Sequence, residues 1–318
     1  MSALPDKALV AARGRSPVTT SFAPETYAGL YPFPAPAWSY LLTREDIYSL
    51  RPTPGHGVGH FTFDDRVHEP DVLDAYLDAQ GHDLVEDRFP VVASASNRNP
   101  HHLAARFRGL AGYGVPVIRG WLSNADVAYP AHIAPYGVVT STLVHSPGTK
   151  VDVHVLFLDR EQLLALHEIE RVGENFDFMG LTENVVELEN GDTVVGAYAY
   201  LGRHGIAVFG DGPRRLERVA AEAPRLAPAS LAEVMVDVAA RAEAAGLPVR
   251  SVPELQAHSR HSEANREEIR SLLRATSVGS GISYRSLNTP RERRPVPGAS
   301  YGSSQQPDRA AGFVDVDP

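Results

Sequence analysis

From residue 89 to residue 209 the chain is a succession of short β-branched and aromatic runs cut by Gly, Pro and Asn. Eight runs read as strands: 89–94, 115–122, 125–129, 136–144, 150–158, 183–188, 193–201 and 205–209. Between two of them, Glu189-Asn190-Gly191-Asp192 carries the Asn-Gly hairpin signal. Helical spacing is confined to 70–79, 100–109, 159–170, 213–222, 229–244 and 252–275, the last mostly charged and expected at the periphery. So many strands with so few helices between them disfavour a doubly wound sheet. They imply an α+β chain built on a small mixed β-barrel or sheet with flanking helices. No internal repeat is visible.

Five segments follow from composition: a flexible arm over 1–25, an N-terminal extension over 26–87 with a helix near 70–80, a central domain over 88–246, a peripheral helix over 247–276, and a disordered tail over 277–318. Within the extension, residues 27–38 are rich in aromatics and Pro, which suits docking on a surface and forbids a helix. That segment and the tail are the candidate contacts for a protein partner.

The chain contains no cysteine, so disulfides, thiolate catalysis and cysteine metal sites are excluded. It has only Lys7 and Lys150 as lysines, which leaves almost no candidate for a Schiff base or a phosphate-binding lysine. A net charge of −9 disfavours a nucleic-acid partner. No apolar run approaches the length of about 18 residues that a membrane helix needs, and the N-terminus lacks a secretory pattern. A cytoplasmic location is the expectation.

Two stretches carry the chemistry. Phe89 to Ala93 is an apolar run closed by the small polar loop Ser94-Ala95-Ser96-Asn97, with Arg98 following; Asn99 and Pro100 then read as N-cap and first helical residue. Small side chains let backbone N–H groups approach a ligand, and N–H groups at a helix start attract anions. A carboxylate held there gains about 1–3 kcal/mol per charged hydrogen bond. The same residues can equally serve as plain helix caps. The second stretch runs from Ser146-Pro147-Gly148-Thr149 through an apolar run to a helix opened by Asp159 and ending at Glu170. Leu163, Leu166 and Ile169 form its apolar stripe; Glu168 sits off it and Glu170 beside it. A partly buried carboxylate at a helix C-terminus is disfavoured as an anion by burial and by the dipole, which suits a general base. An ordinary solvated acid is the plain alternative.

Taken together, over residues 88–210, these segments resemble the γ-glutamylcyclotransferase family. Ser94-Ala95-Ser96-Asn97 is similar to that family's Tyr-Gly-Ser-Asn loop, with Ser and Ala replacing Tyr and Gly. The Ser-Pro-Gly segment, the apolar strand and the following helix look like the family's approach to its catalytic glutamate, and Glu170 is the matching position. Asp192-Thr193-Val194-Val195-Gly196-Ala197-Tyr198 resembles a later strand with a substrate-contacting tyrosine, which places Tyr198; Phe176 falls near another family tyrosine. The resemblance implies a metal-independent, cofactor-free lyase or acyltransferase that converts a γ-glutamyl amine or peptide into 5-oxoproline and the free amine. Glu170 would be the general acid/base, residues 94–98 the cradle for a substrate carboxylate, and Tyr198 a substrate contact. Without the loop's Gly a left-handed backbone there is disfavoured. A catalytically inactive small-molecule-binding or scaffolding module on the same fold is the alternative.

Other constellations carry less. The Gly-rich stretch around His56 and His60 lacks the helical spacing of a metal motif. His101 and His102 read as surface residues, and His132 as a turn or pocket-mouth residue. No Gly-x-Ser-x-Gly elbow is present.

Overall fold

The computed structural model describes residues 13–19, 29–53, 57–64, 71–286 and 302–303. It is a mixed α+β fold. Its centre is a two-stranded ladder of unusual length, β6 (Gly114–Ala128) against β7 (Thr142–Leu158). The pairs expected at 115–122 and 125–129 are one strand. The register shifts between Ser123 and Ala125, where Asn124 takes φ 54°. Opposite, Gly148 takes φ 77°, its N–H donates to Asn124 Oδ1 at 2.9 Å, and Ser146 Oγ lies 2.7 Å from Thr149 Oγ1. Ser146-Pro147-Gly148-Thr149 is thus an irregularity that lets one long hairpin bend without breaking.

The remaining strands build outward from this hairpin. β5 (Phe89–Ala93) pairs antiparallel with β7 and parallel with β11 (Tyr198–Gly202), and β11 continues antiparallel to β8 (Phe176–Leu181). On the other flank β6 pairs with β9 (Val185–Leu188), which turns through Asn190 and Gly191 into β10 (Asp192–Val195). The N-terminal region joins the same sheet: β2 (Tyr40–Thr43) lies on β6 and against β3 (Asp46–Pro52), which also carries β1 (Arg15–Pro17) and β4 (Phe61–Phe63). Among the described residues the ladders form no closed ring, so the sheet stays open rather than becoming a barrel.

Among the described residues the helices that flank the sheet include α1 (Leu73–Ala79), α2 (Pro100–Arg106), α3 (Arg160–Glu170), α4 (Leu231–Ala244), α5 (Val252–His261) and α6 (Glu263–Arg274). Strand alternation sorts the core into two sides. Phe89, Val91 and Ala93 of β5 and Leu156 and Leu158 of β7 pack with Leu103 of α2 and Leu163 and Leu166 of α3. Val92 and Val151, Val153, Val155 and Phe157 face the other side, where Val234, Val238, Leu255, Ile269 and Leu273 of α4 to α6 cover them.

Four expectations are corrected by tertiary contacts. Residues 213–222, expected helical, contain the strand Gly212–Leu216, which pairs with Ala227–Ala229. Arg215 there reaches the fully buried Asp126 at 3.0 Å, a contact that local propensity cannot foresee. The single helix expected over 252–275 is two, because Ser262 adopts extended φ −156° and caps α6 by accepting from the Asn265 N–H at 3.1 Å. Nor is that segment peripheral: Ile269, Arg270 and Leu273 are buried, and Arg270 donates to the Ile133 carbonyl. The strand expected at 136–144 begins only at Thr142.

At the ends, Arg15–Pro17 of the expected arm pairs with β3, and Tyr284–Ser286 pairs with β8. Most of the remaining arm and tail, and His56 of the Gly-rich stretch, lie outside the described residues. No described helix is long and apolar enough to cross a membrane.

Candidate functional site

A length match brings the two sequence stretches together. β7 ends beside the start of β5, with Leu158 opposite Phe89. Asp159 caps α3 there, its carboxylate accepting from the Gln162 N–H at 2.8 Å while Gln162 returns a bond to the Asp159 N–H. Helix α3 then runs back along β5. Eleven helical residues rise about 16 Å, and five strand residues advance about the same distance. Glu170 therefore arrives where β5 gives way to Ser94. Asn97 Nδ2 donates to Glu170 Oε1 at 3.0 Å.

Loop and helix end enclose a cavity of about 300 Å³. Ser94, Ala95, Ser96 and Asn97 form one wall, and Ile169, Glu170 and Phe176 the next. The connection between β6 and β7 folds across as a third, through His132, Tyr136, Thr140 and Ser141. Tyr31 closes the fourth, its hydroxyl 2.6 Å from Ser141 Oγ. Arg106 at the end of α2 reaches in and lies 3.4 Å from Glu170 Oε1. Tyr31, Phe33 and Trp38 of the aromatic segment are buried within the chain itself: Phe33 stacks on His102, and the Pro34 carbonyl accepts a bond from Asn99 Nδ2 at 2.7 Å.

The polar groups of this cavity are incompletely matched. Ser96 Oγ, Asn97 Oδ1, His132 Nδ1 and Thr140 Oγ1 are buried without a hydrogen-bond partner within the protein. The backbone N–H groups of Ala95, Ser96 and Asn97 open a 3₁₀ turn (Ser96–Arg98), and none of the hydrogen bonds of the described residues uses them. A buried polar group without a partner costs about 1–3 kcal/mol, so several around one space mark a place that a polar ligand or water completes. Tyr31, Tyr200, His132 and His167 are held neutral. Burial and then Glu170 push the Tyr200 phenol well above its ordinary range. Burial, the nearby Tyr136 and, to a lesser degree, Glu170 do the same to Tyr31. Burial pushes His132 down to about 3, helped by Arg270 and His204, and pushes His167 down to about 4. His167 Nδ1 lies 2.7 Å from the Tyr200 hydroxyl. Among the described residues no cluster of three His, Asp or Glu could hold a metal ion.

Of the residues singled out in the sequence, Ser94, Ala95, Ser96, Asn97 and Glu170 share this cavity, while Glu168 is exposed. Ala95 takes φ −141° and ψ −120°, so the position does not demand the left-handed backbone that favours glycine. Arg98 is a correction: it points to the other side of the loop, paired with Asp152 and 3.2 Å from His154 Nδ1. Tyr198 is another. It stacks on Phe178 at 5.1 Å within the core, and the ring that lines the cavity is Tyr200. Both rings leave the same face of β11, but Tyr200 lies one strand repeat, about 7 Å, further toward the loop. His101 and His102 are buried, not surface residues: the Thr19 N–H donates to His101 Nδ1 and Arg106 to His102 Nε2. Tyr31, Arg106, Thr140 and Tyr200 were not legible as site residues. The aromatic segment was the one signal pointing to Tyr31.

No family model matches the chain, and no curated protein matches it. Solved structures similar to it include the following two. A γ-glutamyl cyclotransferase is 15% identical with a TM-score of 0.31, covering 57% of this chain and 98% of its own. An uncharacterized protein from Homo sapiens is 16% identical with a TM-score of 0.31, covering 58% of this chain and 99% of its own.

Proposed function

We propose that the chain is a γ-glutamylcyclotransferase-like lyase or acyltransferase that acts on a γ-glutamyl amine or peptide and releases 5-oxoproline. The observation that carries this reading is the Glu170 carboxylate, presented across a small polar cavity to the 94–97 loop and held by Asn97 Nδ2. In this chemistry the α-amine of the γ-glutamyl group attacks its own γ-carbonyl carbon. A C–N bond forms in a five-membered ring, and the amide C–N bond to the leaving amine breaks. Proximity within one molecule supplies much of the rate. The substrate ammonium first loses a proton to become the attacking amine. Glu170 accepts the second proton that the nitrogen sheds as the ring closes and returns it to the departing amine, which picks up the first from solvent, so no water or cofactor is consumed. The unpartnered N–H groups of Ala95 to Asn97 and the Ser96 hydroxyl suit the substrate carboxylate or the developing oxyanion. Arg106 balances the charge of Glu170.

The test is to incubate the purified chain with γ-glutamyl amines and peptides and follow 5-oxoproline. Formation by the native chain and its loss in Glu170→Gln is the expected result. No product above the Glu170→Gln level overturns it.

One observation favours a second reading, a binding module without turnover. Glu170 already holds both Asn97 and Arg106, as a structural tether would. That reading expects glutamate-like acids to raise the unfolding temperature while no γ-glutamyl compound is consumed.

A further inference from the structure

The 94–98 loop has a second cavity behind it, of about 420 Å³. That size falls within the range of about 300–1,000 Å³ usual for small-molecule sites. Ala95 lines both this space and the one that holds Glu170, so the loop is the wall between them. Two further walls come from segments outside residues 88–210: Pro32 to Ala35 on one side and Arg218 to Ala220 on the other. Both segments are pinned. Phe33 stacks on His102, and the Pro34 carbonyl accepts from Asn99 Nδ2. The Ala220 carbonyl accepts from the Asp152 N–H at 2.9 Å, and the Val219 carbonyl accepts from Arg215, itself paired with Asp126. A cavity with fixed walls costs little to order around a ligand.

Charge defines what fits. Arg98, Asp152 and Arg218 line the space. Asp152 is engaged twice: Oδ2 accepts from Arg98 Nη2, and Oδ1 accepts from Arg119 Nε at 2.8 Å. Its charge is thus shared by two cations, and no other acid lines the cavity, so a cationic guest is disfavoured. Arg98 uses Nε on His154 and Nη2 on Asp152, while Nη1 takes part in none of the hydrogen bonds of the described residues and is not sealed from solvent. Arg218 is exposed and makes none of the hydrogen bonds or ion pairs of the described residues. In a chain of net charge −9, two available guanidinium groups over one cavity concentrate positive potential against the overall sign. The remaining lining is apolar, from Pro32, Pro34, Ala35 and Val219. A bare inorganic ion leaves that surface wet; an anion with an apolar body covers it.

We propose that this cavity is a second ligand site, which takes an organic anion. Its carboxylate or phosphate lies between Arg98 Nη1 and Arg218, and its apolar body lies along Pro32, Pro34 and Ala35. Both head groups match the planar donors of a guanidinium. The site stands apart from the reaction proposed for Glu170. It gives Arg98 an anion to hold, but on the opposite face of the loop from the cradle expected in the sequence.

Calorimetry on the full chain tests it, with 1-naphthoate, 1-naphthyl phosphate and the neutral 1-naphthamide as probes. Both anions are expected to bind at least tenfold more tightly than the amide. Arg218→Gln, a change at an exposed position, should weaken both anions roughly tenfold, the effect of one charged hydrogen bond, and leave the amide unchanged. Ala35→Trp keeps both arginines and fills the cavity, so it should abolish binding of all three probes. Glu170→Gln should leave every affinity as it was. The tighter of the two anions identifies the preferred head group. No binding of either anion, equal affinity for anions and amide, or anion affinity unmoved by Arg218→Gln overturns the site. Binding that survives in a folded Ala35→Trp protein is ion pairing at the open surface and also overturns it. Binding that responds to Glu170→Gln and not to Arg218→Gln belongs to the cavity on the other face, with the same consequence. If Ala35→Trp does not fold, as read by circular dichroism, the Arg218→Gln comparison decides alone.

Discussion

The 94–98 loop has two sides, and they are built on opposite rules. On one side Arg98 meets Asp152, which also accepts from Arg119 Nε at 2.8 Å; His154 joins them, and the Tyr40 hydroxyl donates to the Arg98 carbonyl at 2.9 Å. Asp152 thus faces two cations, and Arg98, Asp152 and His154 are buried. On the other side, Ser96 Oγ and Asn97 Oδ1, one and two residues before Arg98, stand with His132 Nδ1 and Thr140 Oγ1 around the cavity unmatched. A saturated buried network fixes position, whereas an unsaturated one holds capacity in reserve for a ligand. The first anchors the loop to β7; the second is where chemistry has room to occur.

Mutation separates the two sides. Glu170→Gln should lower 5-oxoproline formation by about 10²–10⁴-fold, the usual range for a general acid/base, with denaturant midpoint nearly unchanged. Asp152→Ala should do the reverse in kind. It strands the buried Arg98 charge and should cost about 3–5 kcal/mol by urea unfolding. If Asp152→Ala proves mild, the distinction between anchoring and reactive sides fails.

Acid should unfold the protein earlier than its carboxylates predict. His132 titrates near 3 in the folded chain and near 6.5 when unfolded, so between those values the unfolded state binds the extra proton. The stability this histidine contributes is therefore complete above pH 6.5 and is lost as pH falls toward 3. The slope is about 1.4 kcal/mol per pH unit for each such group. His167 adds to it down to about 4. His132→Gln should flatten urea-derived stability between pH 6 and pH 4, and an unchanged slope would refute the assignment.

Thr140→Val gives the smallest effect. Removing a buried hydroxyl that has no partner should leave stability within about 1 kcal/mol of native or raise it. The same change should weaken binding of a glutamate-like acid by calorimetry. Equal binding would remove Thr140 from the site.

How far the sequence reaches can be judged residue by residue. The Asn99-Pro100 helix start, the Asp159 cap, the Asn-Gly turn and the run 89–93 were all legible, because each depends on neighbours within a few positions. The different placement of Glu170 and Glu168 was legible too, since helical periodicity separates a residue beside the apolar stripe from one off it: Glu170 lines the cavity and Glu168 is exposed. Tyr200 was not. It shares a face with Tyr198, and only the end point of β11 relative to β5 decides which ring reaches the cavity. Arg98 failed for a related reason: loop residues have no periodicity from which to read a direction.

The sequence by itself determined that this chain is an α+β fold rich in strands, and that a small-residue loop and a glutamate-ended helix flank its central strands. Those features are local, set by backbone propensity, capping and alternation. The tertiary structure alone decided that Tyr31, Arg106 and Thr140 meet Glu170 across one cavity, and that residues 40–52 join the same sheet. Such contacts join residues far apart in the chain. They depend on how the layers fit together over distance, which no short window of residues specifies.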